Sequence, residues 1–200
     1  MYSKNRAASI AKNDVKFIGV GINEDVVLKE AKCELSPNNN YFLEIIFEKN
    51  GATLVHTEWE PSLGAFTTTQ EQLQQKADNQ YSRMLQILRC YYKDEEIDFN
   101  GESFREFAKY VADKLNSADK TKKLRVKAVY NDKGYTTLPK YAKFTFIEPM
   151  ELPEGTSSSI AILGIDTLVK PVVADKEVTV QNPLAGEHTP AEEKKDDLPF

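Results

Sequence analysis

Positive charge and aromatic rings are concentrated between Lys120 and Phe144. This stretch holds eight basic residues and a single acid, Asp132. In proteins that bind single-stranded nucleic acid, cations follow the phosphates and aromatic rings stack on unpaired bases. The stretch therefore predicts a surface for single-stranded nucleic acid. Its candidate contact residues are Arg125, Lys127, Tyr130, Lys133, Tyr135, Lys140, Tyr141 and Lys143.

The same stretch also predicts which of these side chains reach solvent. Alternate residues on a β-strand face opposite sides of the sheet. The residues expected to face inward are Leu124, Val126, Ala128, Phe144 and Phe146. Those expected to face solvent are Arg125, Lys127, Tyr141 and Lys143. A simpler interpretation is that the lysines only keep an exposed sheet edge soluble.

Two aromatic residues nearer the N-terminus are further candidates for base stacking. Trp59, the single tryptophan, lies on a predicted strand that ends before Pro61. It shares a strand face with Thr53, Val55 and Thr57, and its ring either stacks on a base or seals one end of the fold. Tyr41 begins the strand that follows the Asn-rich turn at 36–40.

Catalytic and metal-binding patterns are weak in this sequence. Cys33 and Cys90, and His56 and His188, have neither the spacing of a zinc site nor that of a disulfide framework. No nucleophile elbow, zinc-protease helix or phosphate-binding loop occurs. We therefore expect no enzyme, no metal and no cofactor, and a reducing, cytoplasmic location. The longest apolar runs are too short to span a bilayer, so no membrane contact is expected.

Hydrophobic periodicity predicts strands on both sides of a helical insert. Period-two alternation indicates strands at 26–35, 41–48 and 52–60, with Asn50-Gly51 as a hairpin turn. Helical spacing, with capping residues at Thr69 and Ser103, predicts a helical insert over about 69–118. Two further strands are expected at 123–131 and 141–147.

This order of elements predicts the fold class. Three strands, a helical insert and two strands are typical of an OB-fold, a five-stranded Greek-key barrel. Other small α+β sandwiches share the order. We expect a mainly β domain with a helical insert over residues 1–149, and a weakly structured extension over 150–173. A flexible linker with an acidic tail is expected over 174–200.

The acidic charge is concentrated near the C-terminus. Residues 1–149 carry 22 basic and 21 acidic residues, whereas residues 150–200 carry 4 and 10. The sequence finishes with Asp196, Asp197, Leu198, Pro199 and Phe200. Leu198 and Phe200 can fill a small apolar pocket, and the terminal carboxylate can meet an Arg or Lys at its rim. This pattern predicts a protein-docking peptide.

These last five residues resemble the C-terminal tip of bacterial single-stranded DNA-binding proteins, and phage members of that family also tend to end in acids and an aromatic residue. The resemblance implies an OB-fold that binds single-stranded DNA. It also implies that Asp196, Asp197, Leu198, Pro199 and Phe200 recruit enzymes of replication, recombination and repair. The long helical insert and the missing Gly/Gln-rich linker indicate a divergent, phage-type member. The sequence leaves open whether the protein forms a homo-oligomer.

Other functions fit the same sequence. An OB-like adaptor would dock to a replication complex through its tail without touching DNA. A nuclease or annealing enzyme is a weaker alternative. If the protein does bind DNA, the acidic tail is expected to compete with DNA for the basic surface.

Overall fold

Seven strands and two helices make up residues 16–172, the part of the chain that the computed structural model describes. The strands are β1 (Lys16–Phe17), β2 (Gly21–Leu35), β3 (Tyr41–Lys49), β4 (Ala52–Trp59), β5 (Leu124–Tyr130), β6 (Thr136–Thr137) and β7 (Ile147–Pro149). The helices are α1 (Gln70–Leu88) and α2 (Phe104–Ser117), and one 3-10 turn at Asp94–Glu96 lies between them. The predicted linker and docking tip at 174–200 lie outside the described residues.

The strands form one sheet that nearly closes into a barrel. Their order is β1-β4-β3-β2-β5-β6, with β7 also paired to β5. Only the β1–β4 pair is parallel among the described strands. The long β2 pairs with β5 through its first half and with β3 through its second half. The two ends of the sheet meet where His56 Nδ1 of β4 lies 3.2 Å from Thr137 Oγ1 of β6. This mainly β architecture is compatible with the predicted OB-fold.

The barrel interior follows from alternation along β3 and β4. Leu43, Ile45 and Phe47 point inward from β3 and are fully buried, as their spacing predicts. The hairpin between these strands turns at Asn50 and Gly51, whose φ angles are 50° and 78°. Positive φ at both central residues is the requirement of a tight two-residue hairpin. The hairpin prediction is therefore confirmed.

Both helices begin at the predicted capping residues. Thr69 Oγ1 accepts a hydrogen bond from Gln72 N at 3.2 Å, and Ser103 Oγ accepts one from Glu106 N at 3.2 Å. Each bond satisfies one of the backbone donors that a helix start leaves without a partner. The apolar faces of α1 and α2 then pack into the same core as the strands.

One edge of the long strand β2 is covered by side chains from α2 and the turn after it. Asn116 forms two hydrogen bonds with the backbone of Ala31, accepting from its N–H at 3.1 Å and donating to its C=O at 2.7 Å. Lys120 Nζ donates to the carbonyl of Lys29 at 2.9 Å. These side chains bond to the backbone of β2 beyond the point where its pairing with β5 ends.

The predicted strand at 141–147 is wrong for most of its length. Residues 138–146 form a loop, and on this side of the chain only the short strands β6 and β7, which flank the loop, pair with β5. The carbonyls of Lys140 and Ala142 bond to side chains of α1, and only at Phe146 does the loop accept a backbone hydrogen bond from β5, from Lys127 N at 2.7 Å. The alternation of apolar and polar residues that predicted this strand is therefore not accompanied by strand pairing over most of its length.

Candidate nucleic-acid interface

The loop that follows β5 carries most of the exposed positive charge predicted for the surface. We call residues 131–146 the basic loop. Its Lys133, Lys140 and Lys143 are exposed, and the Tyr135 side chain is 62% exposed. Phe144, expected to face inward, is instead 40% exposed. The loop thus presents cations beside aromatic rings, the combination that suits unpaired bases and phosphates.

Hydrogen bonds hold the tip of the basic loop in one conformation. Asn131 Oδ1 accepts from the backbone N–H of Lys133 and of Tyr135, both at 3.0 Å. Gly134 has a φ of 75°, which suits glycine at this turn. An ordered tip reduces the conformational entropy that a ligand must remove on binding.

Arg125 lies on β5 and is already paired within the protein. Its Nη1 donates to Glu148 Oε1 at 2.6 Å, and its Nε donates to Glu24 Oε1 at 3.2 Å. The guanidinium therefore has two carboxylate partners before any phosphate approaches. Because a phosphate would have to compete with both of them, Arg125 is a weaker candidate than its sequence position indicates.

The expectation that Lys127 faces solvent is wrong. Its side chain is fully buried, and its ammonium donates to Ala161 O at 2.6 Å and to Asp166 Oδ2 at 2.9 Å. The ammonium also lies 5.1 Å from the centre of the Tyr141 ring, within cation–π range. Lys127 lies on the outward face of β5, as alternation predicts, but residues 159–167 cover that face.

Residues 159–167 form a strap across the outer face of β5. Ser159 N donates to Glu148 Oε2 at 3.0 Å, Ile160 is buried, and Thr167 O accepts from Tyr130 N at 2.8 Å. Burial acts to raise the pKa of Asp166, but hydrogen bonds from Leu163 N, Lys127 and Tyr141 lower it overall. The strap is therefore anchored by an ionised carboxylate.

Tyr130 and Tyr141, both predicted contacts, are half-buried beside this strap. Tyr141 donates its hydroxyl to Asp166 Oδ1 at 3.0 Å, and burial together with that bond raises its pKa. The two rings line a cleft of about 200 Å³, and Lys140 is also among its lining residues. Only part of each ring is therefore available to a ligand.

A row of polar side chains on α1 joins the basic loop to the end of β4. Gln80 Nε2 donates to Trp59 O at 2.8 Å, and Arg83 Nη1 donates to Lys140 O at 2.8 Å. Gln86 Nε2 donates to Ala142 O at 2.9 Å. Residues three apart on a helix are neighbours, roughly 5–6 Å apart at Cβ. Neighbouring side chains of α1 therefore hold the backbone of both Trp59 and Lys140, which are far apart in sequence.

Trp59 lies on the outer surface of the barrel and does not seal its interior. Its side chain is 49% exposed, and its ring centre lies 5.0 Å from that of Phe42 on the paired strand. Phe42 and Trp59 are register partners of β3 and β4. One side of the indole is thus supported by protein while a large part stays accessible, as base stacking requires.

Tyr41 is half-buried and pairs with a cation from the helical insert. Arg105 of α2 lies with its guanidinium carbon 5.1 Å from the centre of the Tyr41 ring. Such a cation–π pair is worth about 0.5–1 kcal/mol at an exposed site. Arg105 is exposed and so adds a cation that the sequence did not indicate as part of the surface.

A buried ionic cluster beneath Trp59 supports this end of the barrel. Glu58 accepts from Arg83 Nε at 2.6 Å and Nη2 at 2.9 Å, and His56 Nε2 lies 3.0 Å from the same carboxylate. Burial acts to raise the pKa of Glu58, but hydrogen bonds and charge from His56 and Arg83 lower it to about 2. The carboxylate stays ionised and keeps Arg83 in place to hold the basic loop.

The outer face of β2 and β3 is not basic, which limits where a polyanion can bind. Lys29 bonds to Glu48 at 3.0 Å, and Lys32 bonds to Glu30 at 3.2 Å. Glu44 lies on the same face of β3 as Glu48. This face therefore does not suit a phosphate chain.

The sequence did not reveal the positioning role of Gln80, Arg83 and Gln86. The sequence does contain a pattern that could have indicated this role, because these three polar residues recur at spacing three within an otherwise apolar helix face. Such residues are usually read as solvent-exposed. Gln80 and Arg83 are in fact buried, and only the folded chain shows which carbonyls they contact.

Comparisons of the sequence with protein-family models and with curated proteins find no match. Across residues 16–172, no group of three or more His, Cys, Asp or Glu side chains is arranged to hold a metal ion. None of the helices in that range combines the length and apolar character needed to cross a membrane.

Proposed function

We propose that the protein binds single-stranded DNA, without base-sequence preference, through the basic loop and the Trp59–Phe42 pair. The observation that supports this proposal is the link through α1, where Gln80 and Arg83 bond to the backbone carbonyls of Trp59 and Lys140. The lysines would contact phosphates and the rings would stack on bases. An OB-like barrel is a frequent scaffold for such binding.

The proposed site is local, so its electrostatic contribution is modest. Lys133, Lys140 and Lys143 are exposed cations that form no salt bridge with the described acids. Three phosphate contacts on a single strand would give a slope of about −2 in log affinity against log salt. Stacking on Trp59 would supply much of the remaining binding free energy.

Trp59 fluorescence provides the direct test. Oligo-dT is titrated into the protein at two salt concentrations, since stacking on a base should quench the indole. We expect quenching, with an affinity that falls as salt rises. Absence of both quenching and a gel shift would reject DNA binding.

A protein-interaction adaptor is the second candidate, and the structure contains an observation in its favour. Arg125 and Lys127, two of the predicted DNA contacts, are engaged by Glu148 and Asp166. An adaptor would show no response to oligo-dT and would still bind partners through its tail. The same titration therefore separates the two functions.

The second half of the proposal concerns the acidic C-terminal sequence. Asp196, Asp197, Leu198, Pro199 and Phe200 would dock to replication, recombination or repair proteins, as the resemblance to bacterial single-stranded DNA-binding proteins implies. Removing Phe200 should abolish capture of such a partner while leaving oligo-dT binding unchanged. Unaltered partner binding after that removal would reject the docking role.

A further inference from the structure

A second and larger cleft lies between α1, the segment before α2 and the chain that follows β4. Its volume is about 590 Å³, within the usual range of ligand sites. None of the basic-loop residues lines it. The residues that the argument uses are Glu60, Asp78, Tyr81, Phe99, Glu102 and Phe104.

The floor of this cleft is aromatic. The ring centres of Tyr81 and Phe107 lie 5.3 Å apart, and those of Phe99 and Phe107 lie 5.5 Å apart. Tyr81, Phe99 and Phe104 are only half-buried, so their rings present apolar surface to the cleft. Apolar surface of this kind favours a bulky aliphatic or aromatic side chain.

The wall of the cleft is held in place before any partner arrives. Asp98 N donates to the hydroxyl oxygen of Tyr110 at 3.1 Å, and that hydroxyl donates to Asp98 Oδ1 at 3.2 Å. Phe99 packs so closely on Gly101 that a Cβ there would lie 2.5 Å from the ring. A side chain at 101 would therefore have to displace the Phe99 ring from the wall of the cleft.

The charge around the cleft has one sign. Glu60, Asp78 and Glu102 line it, and its lining includes no Lys or Arg. None of these acids forms a salt bridge with a described residue. Such a cleft repels phosphate chains and acidic peptides, including the sequence at 192–200, and attracts cations.

We propose that this cleft docks a basic segment of a partner protein. An apolar side chain of the segment would insert against Phe99 and Phe104, while its Lys or Arg side chains would meet Glu60, Asp78 and Glu102. Cations at the rim would also lie close to the Tyr81 ring, which adds a cation–π contribution. This surface does not depend on the proposed DNA binding, because Trp59 and the exposed lysines of the basic loop do not line the cleft.

The test uses three synthetic peptides and the full-length protein. The first alternates lysine with leucine, the second glutamate with leucine, and the third lysine with serine. Binding is followed by fluorescence anisotropy of the labelled peptide and by backbone amide NMR shifts. We expect only the lysine–leucine peptide to bind well, with shifts concentrated at 99–104 and on the adjoining face of α1.

Substitutions in the cleft supply the controls. The variant Glu60→Gln/Asp78→Asn/Glu102→Gln should lose about tenfold or more in affinity at low salt, since complementary charges across an interface are removed. The matched variant Glu151→Gln/Glu154→Gln removes exposed acids outside the cleft and should bind like the parent. Oligo-dT binding should not be lost in either variant, so the cleft is tested separately from the proposed function.

Three results would overturn the proposal. Shifts confined to residues 187–200 and insensitive to the cleft variant would mean that the peptide binds the acidic tail. Equal binding of the lysine–serine peptide would mean that the aromatic floor plays no part. Cleft shifts that grow with protein concentration and block the added peptide would mean that a second copy of the chain occupies the site.

Discussion

The cations of β5 and those of the basic loop come from one stretch of sequence and have different roles. Arg125 and Lys127 neutralise Glu148 and Asp166 inside the fold, whereas Lys133, Lys140 and Lys143 have exposed side chains. Residues 159–167 cover Lys127, and Glu24 and Glu148 bind Arg125, whereas the lysines of the basic loop have no such partners among the described residues. A cluster of basic residues in sequence is therefore not necessarily a basic surface.

The comparison predicts that a buried cation contributes to stability. Lys127→Met leaves the Asp166 carboxylate without its cation, so we expect a loss of about 3–5 kcal/mol in the free energy of unfolding, measured by urea denaturation. Adding Asp166→Asn should recover part of the loss, because the unpaired charge is then removed. Lys133→Met is the matched control and should change stability by less than about 0.5 kcal/mol. Equal effects at Lys127 and Lys133 would contradict the comparison.

A second buried pair predicts how stability depends on pH. The pKa of Glu58 is about 2 in the folded protein, below its ordinary value of 4.5. The unfolded chain therefore takes up this proton first as the pH falls. The carboxylate contributes about 3 kcal/mol above pH 4.5, and that contribution is lost as the pH approaches 2. Denaturation at pH 6 and pH 3 checks this, and Glu58→Gln should show a shallower decline than Glu151→Gln.

The exposed lysines are expected to affect binding and not stability. Replacing Lys133, Lys140 and Lys143 by Gln should weaken oligo-dT binding about tenfold or more at low salt. The slope of log affinity against log salt should fall in magnitude by about 2, since three phosphate contacts are lost. Lys109→Gln, an exposed lysine on α2, is the control. An unchanged slope in the triple variant would remove the basic loop from the interface.

Trp59 tests the stacking part of the same surface. Trp59→Ala should cost about 1–3 kcal/mol in binding free energy to a labelled oligo-dT, followed by anisotropy. Trp59→Phe should retain most of the affinity because it keeps a ring beside Phe42. Phe17→Ala removes another exposed ring and should have no effect. If Trp59→Ala binds like the parent protein, the indole is not a contact.

The smallest expected effect is that of the acidic tail. Deleting residues 192–200 should leave oligo-dT affinity unchanged or raise it by a fewfold, more so at low salt, where charges are least screened. The parent and deleted chains are compared by anisotropy at two salt concentrations. A clear loss of affinity on deletion would refute competition between tail and DNA.

Local patterns were enough to predict the hairpin of β3 and β4 and the starts of both helices. Those features depend on residues close in sequence, such as Asn50 with Gly51 or Thr69 with Gln72. Lys127 could not be placed in this way, because its partner Asp166 lies 39 residues further on. The link from Gln80 and Arg83 to Trp59 and Lys140 was missed for the same reason. Alternation predicts which side of a strand a residue faces, but not what covers that side.

The bonds from Asn116 and Lys120 to the backbone of β2 also bear on self-association. A strand whose N–H and C=O groups are unpaired is a template for strands of other chains, and such pairing is the first step towards aggregates. Asn116 takes up both backbone groups of Ala31, and Lys120 takes the carbonyl of Lys29. Here α2 and the turn after it act in place of a neighbouring strand, so this edge of a barrel that is not fully closed is protected from pairing with other chains.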